Sequence, residues 1–132
     1  MEIIKAFSKF SITTELRKLL LANDDLKELV NNNIFPIVAP EDTVGNCIFY
    51  YRDKYKKEYT VNDFITNENV VVTFAVMSDD YDSTITIAEL VNDILEGIHT
   101  NKDGYKYKCK MIESAEDLID KKYFQVLQFE IR

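Results

Sequence analysis

The residues of this chain that could do chemistry are mostly acidic, and three aspartates stand close together. Asp79, Asp80 and Asp82 fall within one short segment, and clustered carboxylates can bind Ca²⁺ or take part in acid–base catalysis. The segment lacks the glycine at the bend and the bidentate glutamate at the end that a calcium loop needs. We therefore interpret it as a solvated turn whose negative charge favours the start of a following helix.

The other reactive residue types form no catalytic or metal-binding pattern. His99 is the only histidine and is expected at the surface near a helix end. There is no glycine-rich phosphate loop, no Gly-x-Ser-x-Gly and no Cys-x-x-Cys. Residues 1–12 have no long apolar segment that would make an export signal, so we expect Cys47 and Cys109 to be buried thiols rather than a disulfide. The sequence predicts no cofactor, no metal and no enzymatic activity.

A basic cluster with interleaved tyrosines is the strongest candidate for a binding surface. Cations beside aromatic rings can hold single-stranded nucleic acid, and they can equally dock on an acidic protein surface. A solvated hairpin tip is the third interpretation. The cluster consists of Tyr50, Tyr51, Arg52, Lys54, Tyr55, Lys56, Lys57 and Tyr59.

Composition and charge limit the class of protein. The 132 residues suit a single domain, 1–132, and 46% hydrophobic residues suffice for a packed core. The formal net charge of −7 opposes binding to nucleic-acid phosphates, because too few cations are present to displace counterions. No apolar stretch approaches the roughly 20 residues that a membrane helix needs, so no membrane contact is expected.

The first third of the chain predicts two short helices and an extended edge. Apolar residues within 1–10 predict either a first helical turn or an arm that packs on a neighbour. Helix starts are expected at Ser11 or Thr13 and again at Asp25. The segment 34–40 contains two prolines, which remove backbone donors, so it is expected at the edge of a sheet.

The segment 68–98 gives the clearest pattern, a long strand followed by an amphipathic helix. Residues 70–77 form a nearly unbroken β-branched and apolar run, which favours a strand. Thr86 begins a Thr-x-x-Glu capping box that predicts a helix start at or just before it, and Asp82 could cap an earlier start. Gly97 is expected to end this helix as a left-handed cap.

Three further strands are predicted around this segment. One covers 47–55, and it could turn back as a hairpin near 54–57. A second covers 105–112, where alternation places a lysine row, Lys106, Lys108 and Lys110, on the open face. The third covers 123–131, where a change of phase near 126–127 predicts either a bulge or partial cover of both faces.

Strands in runs with one inserted helix favour an α+β fold rather than a doubly wound one. We predict a mostly antiparallel β-sheet of four to five strands, with N-terminal helices and one long inserted helix packed on it. The strand over 70–77 has two apolar faces, and a single helix layer can cover only one of them. Coverage of the second face by the N-terminal helices or by another subunit is therefore expected. The first face holds Val70, Val72, Phe74 and Val76, and the second holds Val71, Thr73, Ala75 and Met77.

The order of these segments resembles a known family over residues 13–132. The chain is similar to the small tail-completion proteins of tailed bacteriophages, the tail-terminator-like or minor tail-component family. Members typically open with a helix pair and an Ile-aromatic-Pro segment, while the lysine- and asparagine-rich surface departs from common members. The resemblance is carried by the runs LRKLLLAND at 16–24, LKELV at 26–30, IFP at 34–36, VAP at 38–40, MS at 77–78, DYD at 80–82 and LEG at 95–97.

This resemblance implies a virion structural protein that is assembled in the host cytoplasm. Relatives form hexameric rings at the head-proximal end of the tail tube, where they stop tube polymerisation and join the tail to head-completion proteins. The partners implied are further copies of the chain, the tail-tube protein and the head-completion proteins. DNA passes through such a ring without sequence recognition, and the net negative charge would let it slide. A lumen lined by the lysine row would contradict that hypothesis.

The interface residues that we predict come from the basic cluster, the second strand face and the proline-containing edge. An alternative of another class is a small acidic immunity or antitoxin-like protein that neutralises a basic partner by charge complementarity. That alternative fits the size and acidity but leaves the apolar second face unexplained. The predicted interface residues are Tyr50, Arg52, Lys54, Tyr55, Lys56, Lys57, Val71, Thr73, Met77, Phe35 and Pro36.

Overall fold

A six-stranded sheet with the strand order β1-β2-β3-β6-β5-β4 forms the framework of the computed structural model. The structure describes residues 9–132, apart from the side chains of 65–67. The strands are β1 (Ile34–Pro36), β2 (Cys47–Tyr59), β3 (Ile65–Ser78), β4 (Gly97–Thr100), β5 (Lys106–Ile119) and β6 (Lys122–Ile131), and the helices are α1 (Ile12–Leu21), α2 (Asp24–Val30) and α3 (Tyr81–Leu95), with one 3-10 turn at Lys9–Ser11.

The predicted mixture of helix and mostly antiparallel sheet is confirmed, but the predicted strand number is wrong. The described residues contribute six strands rather than four to five. β4, an edge strand of four residues, was not predicted, and β1, of three residues, was expected only as an extended segment at the sheet edge. Strands this short carry too little alternation to be recognised from sequence. β1 pairs with β2 in parallel, and the other pairs are antiparallel.

All three helices pack on one face of the sheet around one buried cluster. The four β3 side chains that were predicted to face the helix do so, and Phe74 makes an edge-on contact with Phe129 of β6 at 5.9 Å between ring centroids. Leu16 and Leu20 of α1 join the same cluster. A fully buried side chain of this size contributes about 1.5–3 kcal/mol relative to exposure. The helix α3 contributes Ile87, Val91 and Leu95 to this cluster.

The start of α3 differs from the predicted position. The helix begins at Tyr81, and its N-cap is Asp80, whose carboxylate accepts hydrogen bonds from Ser83 N at 3.0 Å and Ser83 Oγ at 2.8 Å. The predicted starts at Thr86 and Asp82 are therefore wrong, because an aspartate two residues before Asp82 captures the free amide first. The acidic turn is confirmed as a helix cap.

The end of α3 also differs from the prediction. Leu95 is the last helical residue, and Glu96, in an extended conformation, is the C-cap. Gly97 has a φ of +129° and opens β4 instead of closing the helix in the left-handed α conformation. His99 therefore lies in β4, where its Nε2 donates to the Leu95 carbonyl oxygen at 2.6 Å.

The N-terminal helix pair is confirmed, with a different second cap. The side chain of Asn23, rather than Asp25, accepts the hydrogen bond from Leu26 N at 2.9 Å at the start of α2. Asn31 ends α2 in the left-handed conformation, which asparagine tolerates better than most residues. Arg17 of α1 then donates from Nε to the Ile34 carbonyl oxygen at 3.0 Å and ties β1 to the helices. The predicted helical turn or arm falls mostly on residues 1–8, outside the described part of the chain.

The predicted hairpin near 54–57 is wrong, because β2 continues to Tyr59. A bulge between Arg52 and Lys54 shifts the register of β2 against β3 without ending the strand. In β6 no bulge interrupts the pairing, and the irregularity lies on β5 between Met111 and Glu113. For the last strand, the second of the two predictions was that both faces are partly covered. This agrees with β6, whose side chains on the open face are half-buried.

The helix cap can be tested by substitution. We expect Asp80→Ala to lower the free energy of unfolding by about 1 kcal/mol, because Ser83 N loses its acceptor. Thr86→Ala serves as the control and is expected to change it by less than ~0.5 kcal/mol. Urea denaturation checks both values, and a larger loss for Thr86→Ala than for Asp80→Ala would contradict the assigned start.

Thiol reactivity tests the burial of the two cysteines. Both thiols are free and buried, and burial raises the pKa of Cys47 to about 11 and that of Cys109 to about 12. Since the thiolate is the nucleophile, we expect neither to react with a thiol reagent at mildly alkaline pH until the protein unfolds. The fully exposed Val61, replaced as Val61→Cys, gives a fast-reacting control. Native cysteines that react at the control rate would refute this packing.

Candidate assembly surfaces

The face of the sheet opposite the helices carries no helix in the described part of the chain. The predicted coverage by the N-terminal helices is wrong, because Leu16, Leu20 and Leu26 pack in the cluster on the α3 side. Val71 and Thr73 on the open face are nevertheless only 4% and 1% exposed. Their cross-strand neighbours are longer side chains, Lys54 and Glu130 beside Val71 and Tyr51 and Gln128 beside Thr73. We infer that these neighbours cover part of the open face.

One half of the open face is apolar. Ala75 lies between Phe49 of β2 and Val126 of β6, which are its cross-strand partners. Met77 pairs with Phe124, whose ring makes an edge-on contact with Phe49 at 6.4 Å between centroids. These side chains are half-buried, so they leave apolar surface for a partner while covering Ala75.

The other half of the open face is organised by a carboxylate. Asp53 sits in the bulge of β2, and its Oδ2 accepts hydrogen bonds from Thr73 Oγ1 and from Gln128 Nε2, the latter at 2.9 Å. The bulge in β2 thus places the Asp53 carboxylate against Thr73 of the central strand β3. Sequence inspection missed this contact because Asp53 stands among cations and its partners are far away in the chain.

The predicted basic cluster is divided between the two faces. Arg52 pairs with Val72 and lies on the helix side, whereas Lys54 pairs with Val71 and lies on the open side. The Arg52 guanidinium stacks over the Phe10 ring at 4.6 Å, and Phe10 in turn contacts Tyr55 edge-on. Tyr50 is in the core, 6% exposed, against Phe74. No single patch thus gathers all the predicted cations and tyrosines.

Beyond this cluster, β2 and β3 extend as a two-stranded ribbon. β6 pairs with β3 only from Val70 onward, so among the described residues 56–69 are paired only with each other. Lys57 and Glu68 form an ion pair of 3.8 Å across the ribbon. We call this segment, 56–69, the ribbon.

The turn at the end of the ribbon presents apolar side chains to water. Thr60 N donates to the Phe64 carbonyl oxygen at 2.7 Å, Phe64 N donates to Thr60 Oγ1 at 3.1 Å, and Asp63 has a φ of +63°. This ordered turn holds Val61 fully exposed and Phe64 70% exposed, with Tyr59 beside them. We call these three residues the ribbon tip.

A groove of about 240 Å³ lies between α3 and the β5–β6 pair. The bulge at Ile112 shifts β5 by one residue, so that Ser114 and Glu116 follow Met111 on the helix side. Glu116 accepts hydrogen bonds from Gln125 Nε2 and Tyr81 Oη, both at 2.8 Å, and these bonds lower its pKa. We call this feature the α3 groove; its lining residues are Ile85, Ala88, Glu89, Asn92, Met111, Ser114, Glu116, Gln125 and Leu127.

The proline-containing edge is confirmed at β1. Pro36 is exposed and Phe35 half-buried, and Ile37 follows with a φ of +70°, unusual for a β-branched residue. The Ile37 amide donates to the Tyr50 carbonyl oxygen at 2.7 Å, which holds that conformation. Ile37 and Val38 are both about two-thirds exposed. The edge therefore offers an apolar surface beside β1, whose outer side pairs with no other strand of residues 9–132.

The lysine row lies at the opposite edge region, on the open side of β5. Tyr107 and Cys109 face the core, which confirms the predicted alternation. Lys110 pairs with Glu130 of β6, and Lys108 pairs with Ile98 of β4. Two exposed isoleucines, Ile98 and Ile112, adjoin the row. This part of the open face is therefore basic and apolar.

The fold is similar to that of a chain in the virion of a native gene transfer agent (GTA) particle. The two chains superpose with a TM-score of 0.67 at 16% sequence identity, over 89% of this chain and 90% of that chain. At this identity the likeness shows a shared fold. No protein-family model matches the chain, and no curated protein sequence does.

Two negative findings apply to the part of the chain that the structure describes. Residues 9–132 contain no group of three or more His, Cys, Asp or Glu side chains placed to hold a metal ion. The helices found there are all too short or too polar to cross a membrane.

Replacing Asp53 tests the polar half of the open face. We expect Asp53→Ala to lower the free energy of unfolding by about 1–3 kcal/mol, because the buried Thr73 hydroxyl loses its acceptor. Lys54→Ala, at the adjacent exposed position, is the matched control and is expected to stay within ~0.5 kcal/mol. Chemical denaturation measures both variants, and equal effects would contradict the assigned role of Asp53.

Proposed function

We propose that this chain is a structural component of a phage-like virion and performs no catalysis. The observation that carries the proposal is the similarity in fold to a chain of the gene transfer agent virion, because the alignment covers nine-tenths of both chains. A match of that extent leaves little of either chain for an added catalytic module. The location proposed is the virion, after assembly in the host cytoplasm.

In finer detail, we infer a ring-forming tail terminator, or neck connector, at the head-proximal end of a tail. The helix pair and the Ile-Phe-Pro edge that carry the sequence resemblance are both present as α1, α2 and β1. Six copies are expected from that resemblance. Partners would be the tail-tube protein on one side and head-completion proteins on the other.

The distribution of surfaces supports head-to-tail association. The β1 edge and the lysine row stand at opposite sides of the sheet, since β1 and β4 are its two edge strands. Contacts between unlike surfaces generate rings when the rotation closes, whereas contacts between like surfaces give two-fold dimers. Met77, Phe35 and Pro36 are accessible enough to take part directly. Tyr50, Val71 and Thr73 are nearly inaccessible, so we propose that they support the interface from beneath.

DNA is proposed to pass through the ring without being recognised. The net charge of −7 favours passage, because an acidic lumen repels phosphates and prevents sticking. The proposal requires that Lys106, Lys108 and Lys110 point away from the lumen.

The oligomeric mass tests this proposal. We expect light scattering to show a concentration-dependent change from single chains to one closed species of about six copies, because a ring ends its own growth once it closes. A broad series of sizes would indicate open polymers instead and would contradict ring closure.

Light scattering combined with a pull-down distinguishes the ring from the immunity-like alternative. A chain that stays monomeric at every concentration and pulls down one basic protein would refute the virion proposal. Binding to a basic protein by an assembled ring would not, because an acidic surface attracts basic proteins in general.

A further inference from the structure

We propose that the lysine row of one copy packs along the acidic side of α3 in the neighbouring copy, and that one of its side chains enters the α3 groove. This inference rests on the proposed function, since it names a contact through which the ring would close. It assigns one partner, a second copy of this chain, to two surfaces of opposite charge.

The exposed side of α3 carries a stripe of carboxylates. Asp82, Glu89 and Asp93 follow one another at spacings of seven and four residues, which place them on the same side of a helix. All three are exposed, and none forms an ion pair within residues 9–132. The helix contains no lysine or arginine, so no cation of its own neutralises the charge. We call these three residues the acidic stripe.

The α3 groove beside this stripe suits a cation that has an apolar stem. Glu89 of α3 and Glu116 of β5 line its two walls, while Ile85 and Leu127 supply apolar surface. The hydrogen bonds that lower the pKa of Glu116 keep this carboxyl group charged. No lysine or arginine is among the described residues that line the groove.

An unpaired acceptor also indicates a hydrogen-bond donor as the occupant. Asn92 lines the groove, and its buried Oδ1 accepts no hydrogen bond from the described residues. Buried polar atoms are normally hydrogen-bonded. An ammonium group offers three N–H donors and no acceptor, and the aliphatic stem of a lysine packs well on apolar surface. A lysine side chain therefore fits both the charge and the apolar lining of the groove.

The lysine row has the complementary properties. None of its three lysines forms an ion pair within residues 9–132. Lys108 lies between Ile98 of β4 and Arg132, whose amide donates to the Lys108 carbonyl oxygen at 2.9 Å. The Glu130 carboxylate beside Lys110 is paired instead with Arg132, at 2.5 Å. The row thus stays positively charged on a chain whose net charge is −7.

The charges of the two surfaces also match in spacing. Alternate residues of a strand stand about 6.6 Å apart, and residues four apart on a helix, such as Glu89 and Asp93, stand about 6 Å apart along its axis. Two neighbouring lysines of the row can therefore face these two carboxylates at the same time. Glu113 follows on the open side of β5, so the basic surface ends at Ile112.

The sheet separates the lysine row from the groove of the same copy. The row lies on the open side of β5, whereas the groove lies on the helix side of the same strand. A lysine side chain cannot pass through the packed sheet, so only a second copy can bring the two surfaces together. A contact between such unlike surfaces is head-to-tail, the kind that closes rings.

Several other cations of the described chain already have partners. The Arg52 guanidinium stacks on an aromatic ring. Lys57 is paired with Glu68, and Lys122 is paired with Asp79. These cations are therefore less available to a neighbouring copy than the three lysines of the row.

Charge reversal and its rescue test the contact. The row variant is Lys108→Glu with Lys110→Glu, and the stripe variant is Glu89→Lys with Asp93→Lys. We expect each to weaken self-association by roughly tenfold or more, because like charges then face each other. A chain with all four substitutions restores opposite charges and is expected to regain most of the lost association. Failure of that chain to recover, with folding verified by circular dichroism and urea denaturation, would overturn the proposal.

Each variant has a matched control at exposed positions outside the proposed contact. Lys18→Glu with Lys121→Glu makes the same charge change as the row variant, on α1 and on the turn between β5 and β6. Asp25→Lys with Glu28→Lys makes the same charge change as the stripe variant, on α2. Both controls are expected to assemble like the unaltered chain, and controls as damaging as the variants would refute the assigned contact.

Zero-length cross-linking identifies the partners directly. Isotopically labelled and unlabelled chains are mixed, allowed to assemble and treated with a carbodiimide, which joins an ammonium group to a carboxylate in contact with it. We expect mass spectrometry to find lysines of the row joined to Glu89 or Asp93 between a labelled and an unlabelled chain. Assembled chains whose row lysines are joined only to other carboxylates, or to none, would contradict the inference.

The outcomes separate this inference from the proposed function. If the row and stripe variants still form the closed species, the contact proposed here is wrong and the ring stands. If the unaltered chain never assembles, both proposals fall.

Discussion

The burial of β3 on both faces is the constraint on which the rest of this structure depends. β3 is third in a six-stranded sheet, and its side chains are apolar on both sides, yet the described helices cover only one side. The helix side is closed by α1, α2 and α3 around Phe74. Antiparallel sheets with one helical layer normally leave the other side to water. Because β3 is apolar on that side as well, the open side has to be covered by other means. Here the neighbouring strands supply the cover through Phe49, Phe124 and the Asp53 network.

This solution has consequences for the surface. The side chains beside Ala75, those of Phe49 and Val126, are themselves half-buried, so the open face remains partly apolar in the isolated chain. The ribbon continues the same two strands beyond the point where β6 ends its pairing. Apolar surface therefore occurs at the ribbon tip, at the β1 edge and on the open face. Several separate apolar surfaces on one acidic chain are typical of a subunit that contacts more than one neighbour.

The main elements could be predicted from the sequence because they follow strong local rules. The valine-rich run of β3, the alternation of β5 and the leucine spacing of α1 each agree with their burial in the structure. The start of α3 was misplaced, because two capping signals compete and the choice between them depends on backbone geometry. The short strands β1 and β4 are strands only because they pair with β2 and β5, and their own few residues do not predict this pairing.

The candidate surfaces were less predictable, for a physical reason. The α3 groove exists because one bulge in β5 changes which side chains follow Met111, and a bulge of this kind leaves no mark in composition. The basic cluster was visible in the sequence, but the bulge at Asp53 distributes its cations over two faces. Tyr50 could not be recognised as a core residue, because its burial depends on packing against Phe74.

Imaging the assembled chain by electron cryomicroscopy tests the central claim most directly. The account predicts a closed ring of one size, in which each subunit contacts the next through unlike surfaces. The lysine row should lie outside the lumen. A two-fold dimer built from like surfaces, or a ring whose channel is lined by Lys106, Lys108 and Lys110, would contradict it.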